Sequence, residues 1–136
     1  MEQAAHTPQN PLKILIIDDE GDTCFLLQSL LKEEPFEIEH VNTLGQADIF
    51  LKEETPSLIF LDNRLPDGLG MNFIADIRKH YPLTKIIMIT GYSAGSDRKK
   101  ALTKGADIFL PKPFTRQQVY SSVEELTGFH FNLKTA

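Results

Sequence analysis

The chain has 136 residues, 41% of them apolar, which suits one domain that can bury a core without disulfide or metal support. A formal charge of -5 argues against a nonspecific nucleic-acid or acidic-membrane surface, and a single cysteine, Cys24, excludes an intrachain disulfide and fits a reducing cytoplasm. No apolar run approaches the roughly 20 residues of a membrane span, and residues 1–11 lack the basic-then-apolar order of a signal peptide. A flexible polar arm over 1–11, one domain over 12–128 and a short tail over 129–136 are the expected divisions.

KILII at 13–17 is a continuous apolar run that stops at Asp18-Asp19. Leu26, Leu27, Leu30 and Leu31 then form a helical stripe within 22–34, closed by Pro35. FEIEHV at 36–41 alternates as a strand with one wetter face would. Thr43 and Gln46 have capping-box spacing for a helix to about Glu54. SLIFL at 57–61 is a second buried-strand run, ending at Asp62. The turn-rich NRLPDGLG follows, and Met71, Ile74 and Ile77 repeat at helical spacing before Pro82.

KIIMIT at 85–90 predicts another buried strand, and GYSAGS a loop. DRKKALTK predicts a short helix closed by Gly105, and ADIFL at 106–110 the fifth strand. Thr115 and Gln118 have capping-box spacing again, and Val119, Val123 and Leu126 line the last helix. Five strands alternating with five helices predict an α/β fold with a parallel sheet covered on both faces. DDEGDT after the first strand lacks the glycine fingerprint of a dinucleotide site.

The carboxyl ends of parallel strands are where open α/β sheets bind ligands. This places Asp18, Asp19, Asp62, Thr90 and Lys112 at one edge although they are far apart in sequence. Three close carboxylates repel and call for cations. Lys112 supplies one, and an oxygen-rich site favours a hard divalent ion, Mg²⁺, Mn²⁺ or Ca²⁺, over zinc. A carboxylate can itself attack phosphorus, with the metal and the lysine neutralising the charge on the transferring oxygens and Thr90 donating a hydrogen bond to one of them.

IIDDE at 16–20, LDNRLPDGLGM at 61–71, MITGYS at 88–93 and GADIFLPKPF at 105–114 together resemble the receiver domain of bacterial two-component response regulators. The resemblance runs over 13–127 in the family's order and spacing, which makes 12–128 a receiver domain. It implies a flavodoxin-like doubly wound sheet in the order 2-1-3-4-5. It implies Asp62 as phosphoacceptor, and Mg²⁺ (with Mn²⁺ as substitute) held by Asp62, by Asp19 directly, by Asp18 mainly through water, and by the backbone carbonyl of Arg64. Thr90 and Lys112 would contact the phosphoryl group, Phe109 would be the switch aromatic, and Lys112-Pro113 would be a cis bond.

The partner implied is a histidine kinase or histidine phosphotransfer protein. Beyond it stand an output domain or target protein and a phosphorylation-dependent homodimer. Such a chain is a signalling phosphoacceptor and acts as a catalyst only on itself. The sequence departs from the family at Asn63, where an apolar residue is more usual, and at Phe109, which lacks the hydroxyl of the frequent tyrosine. Arg64 and Tyr92 occupy variable positions that tune phosphoryl lifetime in the family.

Two other readings compete. An aspartate-nucleophile phosphatase would carry a second aspartate two residues after the nucleophile, where this chain has Arg64. A binding module that takes no phosphate finds no support, since all the implied site residues are present. Arg98, Lys99 and Lys100 read as a solvated helix face, Cys24 as a small buried side chain, and His6, His40, His80 and His130 lack metal-ligand spacing.

Overall fold

A computed structural model of the protein describes residues 12–32, 34–91 and 95–131. The expected polar arm, Tyr92 and the last five residues of the expected tail lie outside the described residues. Five strands build the sheet: β1 (Leu12–Ile17), β2 (Phe36–Val41), β3 (Leu58–Asp62), β4 (Lys85–Thr90) and β5 (Ile108–Pro111). All neighbours pair in parallel, in the order β2-β1-β3-β4-β5. The helices between and after them are α1 (Gly21–Leu31), α2 (Leu44–Glu53), α3 (Ile74–His80), α4 (Asp97–Lys104) and α5 (Arg116–Thr127). This is the flavodoxin-like doubly wound sheet that the sequence predicts.

The strands are apolar on both faces because helices cover both. Ile14, Ile16, Leu58, Phe60, Ile87 and Ile89 face α1 and α5, where they meet Cys24, Leu27, Leu31, Val119 and Val123. Leu15, Ile17, Ile59, Leu61, Ile86 and Met88 face the other way, onto Ala47, Leu51, Ile74, Ile77 and Ala101. The two-residue period of a strand sends neighbours to opposite faces, so an unbroken apolar run fills two cores at once.

Element ends differ from the sequence expectation in instructive ways. Helix α1 stops at Leu31 and buries Thr23, Cys24, Leu27 and Leu31, while Phe25 and Leu26 remain exposed. Leu27, Leu31 and in part Leu30 face inward as expected, while Leu26 turns outward and Thr23 and Cys24 complete the inward stripe. Thr43 caps α2 by accepting from Gln46 N, but the Gln46 side chain reaches the Asn42 N–H and not that of Thr43, so only half of the predicted box forms. At α5 the box is complete. The segment before α3 opens as a single 3-10 turn (Gly70–Phe73). Within the turn-rich stretch lies a two-residue antiparallel ladder, Arg64–Leu65 against Gly68–Leu69, which periodicity is too short to reveal.

After α5 the chain turns at Gly128, whose positive φ of 80° suits glycine alone without strain, and it folds back. Phe131 stacks on Tyr120 at 4.1 Å between ring centroids, and Phe129 meets Phe36 edge-on at 5.0 Å. The first residues of the expected tail thus close one end of the α1–α5 core.

Arg78 is the main polar tie on the opposite face. Its guanidinium donates to the carbonyls of Gly105 and Thr84 and to the Asp107 carboxylate, which also accepts from the Ile86 N–H. One side chain therefore joins α3, the start of β4 and the start of β5. Arg78→Ala leaves two carbonyls and a carboxylate without their charged donor, at a cost of about 2–3 kcal/mol in urea denaturation. A loss under about 0.5 kcal/mol, typical of a neutral surface change, would mean that the tie carries no stability.

Candidate functional site

The carboxyl ends of β1, β3, β4 and β5 meet at one edge of the sheet. Asp18 follows β1 directly and is fully buried, with its N–H donating to the Val41 carbonyl. Asp62 is the last residue of β3 and is 4% exposed. Thr90 ends β4 and is 1% exposed, and its carbonyl accepts from Lys112 N, which leads the chain off β5. The Lys112-Pro113 bond is cis, as the resemblance implies.

Lys112 gathers the acids. Its Nζ lies 2.5 Å from Glu20 Oε1, 3.0 Å from Asp18 Oδ2 and 3.7 Å from Asp62 Oδ2. Carboxylate oxygens of Asp18, Glu20 and Asp62 all fall within 4.8 Å of one another. Asp18 Oδ2 is buried with no donor in hydrogen-bond alignment, so the 3.0 Å approach of Lys112 is an ion pair and not an aligned bond. A buried carboxylate oxygen left in that condition, beside two further carboxylates and one ammonium, fits a hard divalent cation. Asp19 is exposed and stands outside this triangle.

Glu20 is the residue that the sequence reading passed over. It follows the acid pair in IIDDE, and its position gave the only available signal. What brings it in is the turn from β1 into α1, where its N–H donates to Asp18 Oδ1 at 2.8 Å.

The charges act on one another. Burial, followed by the charge of Asp18, pushes the Asp62 carboxyl up to about 7, against the opposing pull of Lys112 and of the Asn63 N–H. For Lys112, burial works against the charge, but the hydrogen bond to Glu20 and the close carboxylates of Asp18 and Asp62 outweigh it, and its pKa lies above the ordinary lysine value. Glu20 is held below the usual carboxylate range, first by its hydrogen bond to Lys112. Burial and the Asp18 charge push the Cys24 thiol up to about 11, which keeps it protonated and unreactive at neutral pH.

The loop after Asp62 is closed by Asn63, the polar departure noted in the sequence. Its backbone N–H donates to Asp62 Oδ1 at 2.8 Å, its carbonyl accepts from Gly70 N at 2.7 Å, and its side-chain oxygen accepts from Met71 N at 2.9 Å. Gly70 passes so close that a β-carbon there would sit 2.1 Å from the Asp62 carbonyl oxygen, so no other residue fits. The bond from Gly70 N to the Asn63 carbonyl extends the Arg64–Leu65 and Gly68–Leu69 ladder toward Asp62. Phe109 is 4% exposed and turned into the core, and the Arg98 guanidinium lies 5.3 Å from its ring centroid. No helix among the described residues is long and apolar enough to cross a membrane.

Known proteins share this fold. The family described as response regulator receiver domain matches residues 14–124. The chain is similar to the beryllofluoride-activated NtrC4 receiver domain dimer (34% identity, TM-score 0.81, 85% of this chain and 96% of that one). It is similar to a two-component response regulator from Clostridium difficile (30% identity, TM-score 0.80, 85% and 94%). A third is a CheY-like receiver domain protein from Methanospirillum hungatei JF-1 (28% identity, TM-score 0.80, 85% and 93%). With a family match over most of its length and the same strand order, the chain belongs to the response regulator receiver domains of two-component signalling.

Proposed function

We propose that this receiver domain accepts a phosphoryl group on Asp62 from a phosphohistidine of a histidine kinase or phosphotransfer protein, in a reaction that depends on Mg²⁺. The observation that carries this reading is the buried Asp62 carboxylate, 3.7 Å from Lys112 Nζ and beside the unaligned Asp18 Oδ2. In the reaction an Asp62 oxygen attacks phosphorus while the P–N bond to the donor imidazole breaks. The electron pair of that bond leaves on the imidazole nitrogen, and the product is an acyl phosphate. Lys112 pairs with a phosphoryl oxygen, exchanging part of its contact with Glu20 and Asp18 for it. The Thr90 hydroxyl donates to another.

The groups that would hold the ion are the Asp62 and Asp19 carboxylates and the Arg64 carbonyl, with Asp18 acting through water and Glu20 as a further nearby carboxylate. A bound divalent ion would offset the repulsion among the acids and the charge on the phosphoryl oxygens. Mn²⁺ has the same ligand preference and would substitute.

The switch follows from what phosphorylation changes. Thr90 drawn toward the new oxygens leaves room beside β5, and Phe109, now inward against Arg98, shifts its balance between states. The surface of α4, β5 and α5 would then present the signal to an output domain, a target protein or a second copy of the chain. The site works in the cytoplasm, where the donor kinase keeps its phosphohistidine, and its only catalysis is on its own phosphorylation and dephosphorylation.

Two outcomes are expected. Incubation with a small acyl phosphate and Mg²⁺ adds one phosphoryl group, read as intact mass, and Asp62→Asn abolishes the adduct; undiminished labelling of the variant would remove Asp62 as acceptor. The second concerns pH. In the metal-free protein the Asp62 carboxyl carbon should titrate in NMR near pH 7 and shift to lower pH on adding Mg²⁺. Because the folded pKa is raised above the unfolded value of about 3.9, metal-free stability should fall as pH rises from about 4 to 7, and Mg²⁺ should reverse the loss. A stability curve flat across that window would contradict the raised pKa.

A further inference from the structure

The loop that follows the phosphoacceptor is tied to a helix that does not reach the site. The Asp67 carboxylate accepts from Leu44 N through Oδ1 and from Gly45 N through Oδ2, both at 2.9 Å. It thereby satisfies two of the first N–H groups of α2, beside the Thr43 cap. These two bonds depress the Asp67 pKa, so the carboxylate stays charged well below neutral pH. The turn itself leans on the helix: a β-carbon at Gly68 would lie 3.2 Å from Leu44 Cδ1.

From Asp67 the connection runs inward without a break. The Arg64–Leu65 and Gly68–Leu69 ladder carries it to Asn63, whose carbonyl and side chain hold Gly70 N and Met71 N, and Asn63 N holds Asp62 Oδ1. Asn63 is 8% exposed, and the Met71 N–H is a buried donor that an apolar residue at 63 would leave without this acceptor. Each link restrains a different part of the same segment, and the segment begins at the Asp62 carboxylate and contains the Arg64 carbonyl.

We propose that Asn63 and Asp67 are positioning residues that lock the 63–71 loop, through α2, into the shape that presents Asp62 and the Arg64 carbonyl to a divalent ion. This rests on the ion-dependent reading of the site above. Asp67 touches neither the ion site nor Lys112, so any effect it has on ion affinity must travel through the loop. A loop free to move would lose entropy on binding the ion, and the two residues meet that cost at folding instead.

The test is a Mg²⁺ titration of the full chain followed by ¹H–¹⁵N spectra, with amide exchange of Leu44, Gly45, Gly70 and Met71 measured in parallel. Asp67→Ala should weaken Mg²⁺ by about tenfold, in the range of outer-shell losses. Asp67→Asn, which keeps one carbonyl acceptor, should recover most of the affinity. Asn63→Leu should weaken binding at least as much and speed exchange at Met71. Asp67 is exposed, so its variants fold even where Asn63→Leu does not, and a thermal melt checks this. If Asp67→Ala loses protection at Leu44 and Gly45 yet binds Mg²⁺ within about twofold of the wild type, the positioning role is overturned while the ion-dependent reading stands. If the wild type itself shows no Mg²⁺ response, the ion-dependent reading falls and the inference with it.

Discussion

One ammonium serves three carboxylates at the ends of β1 and β3, and the site follows from that shortage. Two like charges about 4 Å apart repel by about 4 kcal/mol at an effective dielectric near 20. Lys112 answers part of this through its contacts with Glu20, Asp18 and Asp62. Burial first, and then the charge of Asp18, still raises the Asp62 pKa, and a buried Asp18 oxygen is left with no aligned donor. A group that is costly to ionise alone would be easier to ionise once positive charge arrives, and on the proposed function this is how an ion would prepare Asp62 for a phosphoryl donor.

The fold brings this about through strand direction. Parallel strands with right-handed crossovers put every carboxyl end on one edge, and the central position of β1 and β3 places Asp18 and Asp62 beside each other. The apolar residues of the same strands fill both cores, so the acids cannot retreat from one another without breaking the sheet. The loops are fixed by side chains and not by length: beside the acids Asn63 closes one and Asp67 ties it to α2, and at the other edge of the sheet Arg78 ties the starts of β4 and β5.

Much of this was legible in the residues. Apolar runs mark the inner strands within one or two residues, since a strand covered on both sides needs its positions apolar, and alternation marks the edge strand β2. Thr115 with Gln118 announced the start of α5 because both halves of that cap are local. Thr43 with Gln46 was half right, since the glutamine bonded one residue earlier, a choice made by the path of the chain out of β2. In α1, Leu27, Leu30 and Leu31 face the core as the stripe predicts, but Leu26 faces outward and Thr23 and Cys24 inward, because composition does not distinguish a small inward residue from a large outward one.

By itself, the sequence determined the order of elements, the covering of the sheet on both faces and the set of polar residues at strand ends. These follow from periodicity and from the strand-end rule, both of which are local or topological. Only the tertiary structure decided that Glu20 joins Asp18 and Asp62 around Lys112 while Asp19 faces solvent, that Asn63 is a loop staple, and that Asp67 caps a distant helix. Such choices depend on the direction of single side chains across gaps of a few ångströms, and that direction is set by contacts between residues up to 92 positions apart.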